Sequence, residues 1–248
     1  MEGSNYNQIA KDYHMKRKKP WRPLEFFLND LKDKGYTFNG KSLDLGCANG
    51  RNFNLINTPP NKLIGIDISL ELIKIAYSNL KDKSQYSQFE SKFFQLIVGD
   101  ITYLPFRTNS IDNVFTIASI HHIKKKSIRK STIAQIFKLL RKDGFLILTV
   151  WRKWQKRFRN YFISEWVKRK FIMNYQKHQE SIGLVDFGDK FVPWTLSKEE
   201  KIYNRFYHFF SKKELIKLLK NYRIIEFKIT GGPSDRDNFF IFAQKSIF

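Results

Sequence analysis

Acidic residues and glycines stand where apolar stretches end in the first half of this 248-residue chain. The stretch LDLGCANG (43–50) carries three of them: Asp44, Gly46 and Gly50. Glycines between a strand and a helix let the backbone approach a ligand closely. Asp67 ends the next apolar stretch, where a carboxylate can accept hydrogen bonds from ribose hydroxyls. The dinucleotide fingerprint needs glycine where this chain has Ala48 and Arg51, so the loop fits a pyrophosphate poorly.

Two adjacent histidines, His121 and His122, follow the apolar stretch NVFTI (113–117) in a chain with five histidines. Metal ligation is a poor interpretation, because adjacent histidines cannot easily converge on one ion and the single cysteine, Cys47, offers no zinc cluster. Neighbouring residues on a strand point in opposite directions. We therefore expect His122 to face a ligand and His121 to pack. We also expect Cys47 to be a small packing residue, and we predict no metal site.

Apolar stretches that read as strands alternate with helix-periodic segments along the chain. The predicted strands span 41–46, 62–68, 93–100, 111–119, 144–151, 223–230 and 238–245. The predicted helices span 22–34, 51–57, 70–81, 127–142 and 211–222. Strands that alternate with helices form βαβ units and a mostly parallel sheet. The helix at 127–142 should end in a KDG turn, and Ser211 with Glu214 should form a capping box.

Residues 152–208, after the fifth predicted strand, break this pattern and read as irregular. Within them, 152–178 has nine Lys and Arg against one acid, Glu165, interleaved with aromatic residues. This composition is typical of a surface that binds single-stranded nucleic acid, and the net charge of +22 favours the same partner. A solvated helix with an apolar inner face would look similar, and a Lys-rich proteome would also explain the net charge.

The composition limits the class of protein. An apolar fraction of 42% is ordinary for a globular chain, and no apolar run approaches the roughly 18 to 20 residues that span a bilayer. The first residues lack the pattern of a signal peptide, and one cysteine suits a reducing compartment. No G-x-S-x-G motif suggests a serine hydrolase. We expect a cytoplasmic protein with a single domain, residues 1–248, and no membrane contact.

The glycine loop resembles the first motif of the class I S-adenosylmethionine (SAM) methyltransferases, an acidic residue followed by G-x-G-x-G, with Ala48 in place of the middle glycine. The resemblance implies a Rossmann-like α/β fold: a seven-stranded mostly parallel sheet with helices on both faces, here with the basic-aromatic insertion after the fifth strand. It also implies SAM as the cofactor, with Asp67 on the ribose and Asp100 facing the adenine amine. The cofactor-binding residues would be Asp44, Gly46, Ala48, Gly50, Asp67, Ile68, Asp100, Ile101 and Ser119.

Longer stretches resemble one family, the tRNA methyltransferases that esterify 5-carboxymethyluridine at the wobble position. The stretches similar to its signatures are YNQIAKDYHMKRKKPWRP (6–23), SIHHI (119–123), LILTVW (146–151), FVPW (191–194), NRFYHFFSKKEL (204–215) and DNFFIFAQK (237–245). They follow the family's order over nearly the whole chain. The chain departs from the family where Arg22 displaces a proline to Pro23, and where Thr195 replaces a frequent histidine.

This closer resemblance implies roles for particular residues. The methyl-transfer site would contain Arg17, His122, Arg205 and Tyr207. The residues that contact RNA would be Trp21, Trp151, Trp194, His208, Lys168, Arg169 and Lys170. Tryptophans can stack on a splayed base, but each of these could instead pack in the core. Residues 1–40 would cover substrate and cofactor, and residues 152–208 would recognise the anticodon stem-loop of the tRNA.

The family also implies a partner, a small zinc-binding activator protein that docks on the edge strand at 93–98. An apolar, uncharged strand at a sheet edge promotes aggregation unless another element covers it. A homodimer or a covering loop would protect the edge equally well.

The implied chemistry makes modest demands on the protein. A carboxylate has an unperturbed pKa near 4 and is ionised at neutral pH, so its methylation would need no general base. The protein would have to position the anion and remove part of its water. Two alternatives stay open at this point: a non-catalytic RNA-binding relative with the same fold, and a small-molecule carboxyl methyltransferase.

Overall fold

A seven-stranded sheet forms the centre of the computed structural model, which describes residues 2–56, 62–81 and 94–246. The strands are β1 (Ser42–Leu45), β2 (Leu63–Asp67), β3 (Phe94–Val98), β4 (Ile111–Ile117), β5 (Leu140–Trp151), β8 (Tyr222–Thr230) and β9 (Asn238–Lys245). Their order is β3-β2-β1-β4-β5-β9-β8; β1 to β5 run parallel, and β9 lies antiparallel to both neighbours. The predicted sheet is confirmed. Residue 93 of the predicted third strand lies outside the described residues.

Helices cover both faces of this sheet. They are α1 (Glu2–Lys16), α2 (Arg22–Asp33), α3 (Phe53–Ile56), α4 (Leu70–Lys81), α5 (Lys126–Leu139), α6 (Arg159–Phe171), α7 (Tyr175–Ser181) and α8 (Lys212–Leu218). One apolar core joins the sheet to α5 and α8, and a second joins it to α2, α3 and α4. The strands β1 and β2 are buried along their whole length because both faces are covered, which explains their uninterrupted apolar runs.

Two predicted helix ends were wrong, and residue 57 of a third predicted helix lies outside the described residues. Helix α5 ends at Leu139, because Leu140 already pairs with Ile111 as the first residue of β5. The KDG turn therefore lies within β5. Helix α8 ends at Leu218, and only half of the predicted capping box forms. Ser211 Oγ accepts a hydrogen bond from the Glu214 N–H at 3.2 Å, but the Glu214 carboxylate accepts one from a histidine instead.

Residues 152–208 form helices and a β-ribbon, so the prediction of an irregular segment was wrong. Helices α6 and α7 lead into β6 (Asp189–Thr195), which pairs antiparallel with β7 (Ile202–His208). A third apolar cluster holds the insertion together and consists of Phe158, Phe162, Val192, Tyr207 and Phe209. Phe158, Phe162 and Tyr207 therefore face inward. The exposed side chains of the insertion include Trp154, Trp166 and Phe171, and Lys168 and Lys170 on α6.

Helix α1, which we did not predict from the sequence, joins the insertion to the sheet. It contacts both α4 and β7 and buries Ile9 and Ala10. The buried carboxylate of Asp12 accepts hydrogen bonds from Trp194 Nε1 at 2.7 Å and from the Ser197 N–H at 2.8 Å. In the described part of the chain, no helix combines the length and the apolar character needed to cross a bilayer.

Candidate active site

The loop after β1 depends on three residues in the left-handed region: Gly46 (φ 77°), Ala48 (φ 51°) and Gly50 (φ 72°). A Cβ atom on Gly46 would lie 2.4 Å from Ser119 Oγ, in the loop after β4, so a larger residue would displace one of the two loops. Ala48 adopts a conformation that costs an L-residue roughly 1–2 kcal/mol. The backbone at Ala48 thus adopts the left-handed conformation that glycine favours.

Two buried carboxylates lie beneath this loop. Asp67 accepts hydrogen bonds from the N–H groups of Ala48 and Ser69, both at 2.9 Å. Asp44 Oδ1 is buried and has no hydrogen-bond partner among the described residues. Burial, together with the charge of Asp67, raises the pKa of Asp44 to about 7, and burial raises the pKa of Asp67. A buried oxygen without a partner is costly, so the site suits a ligand that brings a cationic or hydrogen-bonding donor.

The remaining predicted cofactor residues lie at the same edge of the sheet: Ile68, Asp100, Ile101 and Ser119. They follow β2, β3 and β4, and the strand order β3-β2-β1-β4 brings these loops together with the glycine loop at one crevice. Asp100 is exposed, and its Oδ1 accepts a hydrogen bond from the Thr102 N–H at 2.8 Å. The ribose hydroxyls and ammonium of SAM are donors, and they match the carboxylates of Asp44, Asp67 and Asp100 at this crevice.

Helix α1 and the residues after it lie over this crevice. Asn7 Oδ1 accepts a hydrogen bond from Ser69 Oγ at 2.7 Å, in the loop after β2. Asn49, in the glycine loop, donates through Nδ2 to the Arg17 carbonyl at 3.0 Å and lies 3.0 Å from His14 Nδ1. We did not identify Asn7, His14 or Asn49 from the sequence, although they stand in the stretches 6–23 and 43–50, because their contacts join residues that are distant in the chain.

The two histidines lie in a single turn of 3-10 helix, Ile120–His122, directly after β4. His121 is buried, stacks on Tyr207 with ring centroids 5.0 Å apart, and accepts a hydrogen bond through Nδ1 from the Trp151 N–H at 3.3 Å. His122 is half-buried, and its Nδ1 lies 2.9 Å from both the Phe206 carbonyl and the Tyr6 hydroxyl. Burial lowers the pKa of both imidazoles, that of His122 to about 3. Both rings are therefore neutral at physiological pH.

An arginine on β7 lies beside these histidines. The Arg205 guanidinium lies 4.5 Å from the centroid of the Trp194 ring and 5.1 Å from that of Tyr207. Its Nε is buried and has no hydrogen-bond partner among the described residues, and no acid of the described chain pairs with it. Tyr207 in turn stacks on Trp151 at 4.4 Å. The result is a cation held between aromatic rings with its donors free for a ligand.

Comparisons with known proteins identify the class of enzyme. Residues 43–148 match the family model of a methyltransferase domain. The chain is 27% identical to a tRNA (carboxymethyluridine) methyltransferase of Schizosaccharomyces pombe, over 97% of this chain and 94% of that protein. It is 30% identical to one of Arabidopsis thaliana, over 65% of this chain and 37% of that protein. The crystal structure of a SAM-dependent methyltransferase from Methanosarcina mazei matches with a TM-score of 0.68 at 20% identity, over 88% of this chain and 98% of that one. Residues 43–148 are thus a methyltransferase domain, in a chain that has the fold of SAM-dependent methyltransferases.

Other predicted site residues of the methyltransferase have structural partners. His208 is buried, with Nδ1 2.6 Å from Asp189 Oδ1 and Nε2 2.8 Å from Glu214 Oε1, so neither nitrogen can reach RNA in this structure and the predicted contact is corrected. Arg169 donates to Glu165 Oε2 at 3.2 Å and to the Leu184 carbonyl at 2.9 Å, which makes it part of the scaffold of the insertion.

The three predicted tryptophans of the methyltransferase differ in their surroundings. Trp21 is half-buried and packs against Phe240, with ring centroids 5.0 Å apart. Trp194 is buried and donates through Nε1 to Asp12. Trp151 is half-buried beside His121 and Tyr207. Trp194 thus contacts Arg205 directly, and Trp151 adjoins His122 and Arg205 through their shared neighbour Tyr207.

A buried group of charges joins the insertion to the methyltransferase core. Asp186, Asp189 and His208 offer ligand atoms within 4.8 Å of one another. Arg129 Nη2 from α5 binds Asp186 Oδ2 at 2.7 Å, and His208 contacts Asp189 as described. Each of these acids therefore already has a cationic or N–H partner, and the group is an ion-pair network of the protein's own side chains.

Proposed function

We propose that this methyltransferase transfers the methyl group of SAM to the carboxylate of 5-carboxymethyluridine at the wobble position of tRNA, which gives the methyl ester. The observation that carries the proposal is the unpaired guanidinium of Arg205 beside the turn that follows β4. A guanidinium can bind a carboxylate through two parallel hydrogen bonds. The likeness to the fission-yeast enzyme, which spans nearly the whole of both chains, supports this substrate.

The residues of the site match what this reaction needs. The carboxylate nucleophile is ionised at neutral pH, and the low pKa values of His121 and His122 make both imidazoles weak bases, so the site is built for a reaction without base catalysis. Arg205 would hold the carboxylate, and the rings of Trp194 and Tyr207 would hold Arg205 and exclude water.

The cofactor would lie in the crevice formed by the loops after β1 to β4. Asp44 and Asp67 would receive its ammonium and ribose hydroxyls, and Asp100 its adenine amine. When bound, SAM supplies a methyl group on a positively charged sulfur, which leaves as a neutral thioether. Residues 1–40 would close over the cofactor through the contacts that α1 makes with Asn49 and Ser69.

The insertion 152–208 would bind the anticodon stem-loop. Lys168 and Lys170 are exposed on α6, and the net charge of +22 attracts a polyanion. Trp151 would support a base held against the cluster of His122, Tyr207 and Arg205, whereas any RNA contact of Trp21 and Trp194 stays a prediction. Arg17, which is exposed after α1, would reach the RNA backbone or the carboxylate from the opposite side. A cytoplasmic location stays a prediction.

The edge of the sheet at β3 would bind the zinc-binding activator. Within the described residues, β3 pairs with β2 on one side and with no strand on the other. Apolar side chains are exposed at this edge: Val98 has 49% and Tyr103 has 80% of its surface accessible. A strand with a free, apolar edge is a ready site for another protein chain.

Nucleoside mass spectrometry tests the proposed function most directly. Protein isolated from its own cells, so that a bound partner is retained, is incubated with SAM and tRNA that lacks the ester. We expect 5-methoxycarbonylmethyluridine to accumulate with protein and SAM together and with neither alone. If free carboxylic acids are methylated and tRNA is not, the small-molecule alternative replaces the proposal. If calorimetry detects no SAM binding, with or without the partner, the protein is a non-catalytic relative.

A further inference from the structure

The hydrogen position on His122 follows from its surroundings. Nδ1 lies 2.9 Å from the carbonyl oxygen of Phe206, a group that can only accept hydrogen bonds. If Nδ1 carried no hydrogen, two lone pairs would face each other at that distance. The hydrogen of the neutral imidazole therefore lies on Nδ1, and the Tyr6 hydroxyl oxygen, also 2.9 Å away, is a second neighbour of the same N–H.

The other ring nitrogen is consequently a hydrogen-bond acceptor. Burial, together with the nearby charge of Arg205, outweighs the hydrogen bond to Phe206 and lowers the pKa of His122 to about 3. Nε2 thus carries a lone pair and no hydrogen at neutral pH. Among the described residues, no hydrogen-bond partner of Nε2 is found, and the side chain is half-buried rather than enclosed.

We propose that His122 Nε2 accepts the N3–H of the target uracil and so makes His122 the residue that selects uracil over cytosine. The inference rests on the proposed function and assigns a partner to one atom of that site. Uracil presents a donor at N3 between two carbonyl acceptors, whereas cytosine presents a lone pair at N3. The site offers an acceptor at His122 Nε2 and donors on the Arg205 guanidinium, and both side chains contact the ring of Tyr207. These groups match the N3–H donor and the carbonyl acceptors of uracil.

With this role, His122 does not hold the carboxylate of the substrate. A bare Nε2 would direct its lone pair at a carboxylate oxygen and repel it. Arg205 therefore binds the carboxylate of the substrate, and His122 binds the N3–H of the base. The Phe206 carbonyl acts through His122, because it fixes which nitrogen carries the hydrogen.

The test removes the donor from the substrate and the acceptor from the protein, separately and together. Anticodon stem-loops carry either 5-carboxymethyluridine or its 3-deaza analogue, which has C–H in place of N3–H and a hydroxyl in place of the C4 carbonyl, a second change that is the same for every protein variant. Second-order rate constants of methylation are measured under single-turnover conditions for the wild-type protein and for His122→Ala. We expect the wild type to methylate the 3-deaza loop about 10- to 100-fold more slowly, the usual effect of leaving a buried polar group unpaired. In His122→Ala this ratio should fall to about 1.

A matched histidine and a direct measurement complete the test. His178→Ala, on exposed α7, should keep the full 3-deaza penalty. Nitrogen NMR of the labelled ring should show hydrogen on Nδ1 of His122 and a bare Nε2. Three outcomes would each overturn this inference alone. The wild type could methylate both loops at equal rates, the 3-deaza penalty could persist in His122→Ala, or the hydrogen could lie on Nε2. Failure of the wild type to methylate the uridine loop at all would overturn the proposed function as well.

Discussion

Replacing Asp12 by alanine should release α1 from the insertion. The carboxylate of Asp12 is buried and accepts hydrogen bonds from Trp194 Nε1 at 2.7 Å and from the Ser197 N–H at 2.8 Å. It also pairs with Lys16 Nζ at 2.7 Å, where the lysine is partly exposed. Alanine would leave two donors without a partner, and the hydrogen bond from Lys16 Nζ to the Thr195 carbonyl at 2.8 Å would remain as a more exposed contact between α1 and β6.

The magnitude follows from those contacts. Each unsatisfied buried donor costs about 1–3 kcal/mol, whereas the exposed ion pair adds less than about 1 kcal/mol. We therefore expect the free energy of opening α1 to fall by about 3 kcal/mol, which corresponds to a roughly 100-fold change in the opening equilibrium.

Hydrogen exchange measured by mass spectrometry reads this opening directly. Peptides from residues 5–16 should exchange about 100-fold faster in Asp12→Ala than in the wild type, while peptides from β4 and β5 keep their rates. Asp33→Ala, which removes an exposed carboxylate at the end of α2, is the matched control and should leave α1 unchanged. A change in α1 of less than about threefold in Asp12→Ala would refute the reasoning.

The same contact should depend on pH in a defined direction. Burial alone would raise the pKa of Asp12, but the hydrogen bonds from Lys16, Ser197 and Trp194 outweigh burial and hold the pKa well below its usual range. A carboxylate with a depressed folded-state pKa stabilises the structure above its unfolded pKa of about 4, and this contribution is lost as the pH falls further. The difference in α1 exchange between wild type and Asp12→Ala should therefore be full at pH 6 and should shrink below pH 4.

Four further variants separate the roles of the site. Gly46→Ala should abolish SAM binding in calorimetry, because the added Cβ would lie 2.4 Å from a hydroxyl oxygen in the loop after β4. Asp67→Ala should also abolish SAM binding, whereas Arg205→Ala should leave the SAM affinity unchanged and lower the rate of tRNA methylation by about 100-fold or more. Lys168→Ala combined with Lys170→Ala should weaken tRNA binding and reduce the salt slope of log Kd by about 2.

Each of these predictions has a contrary outcome. Unchanged SAM affinity in Gly46→Ala would mean that the loop is not the cofactor site. Equal losses of SAM affinity in Asp67→Ala and Arg205→Ala would contradict the division between cofactor and substrate residues. An unchanged salt slope after the double lysine substitution would mean that RNA does not bind at α6. Lys32→Ala, on the exposed face of α2, is the control for nonspecific effects of charge.

The sequence predicted the sheet because its signals are local. Parallel strands covered on both faces read as apolar runs, and Asp44 and Asp67 mark the ends of β1 and β2. The ribbon of β6 and β7 was missed because Pro193 interrupts its apolar alternation, and proline argues against a strand. Helix α1 was missed because its buried face is short and includes a charged residue, Asp12.

The parts of the site that the sequence could not supply depend on distant partners. His208 resembled an RNA contact until Asp189, 19 residues away in the chain, was found on its Nδ1. Likewise, the hydrogen position on His122 depends on the Phe206 carbonyl, which lies 84 residues away in the chain. Residue types and spacing indicated which side chains are near the reaction, but only the folded backbone determines which of their atoms donate and which accept.

The position of β9 has a consequence for how the protein is made. β9 is buried along nearly its whole length between β5 and β8, although β8 precedes it in the chain. While the ribosome synthesises the segment from β5 to β9, the sheet presents β5 as an open edge and β8 has no neighbour to join. At about 5–20 residues per second, this interval lasts roughly 5 to 20 seconds. During that time the edge of β5 is open to pairing with other chains, and a chain truncated before β9 should be prone to aggregation.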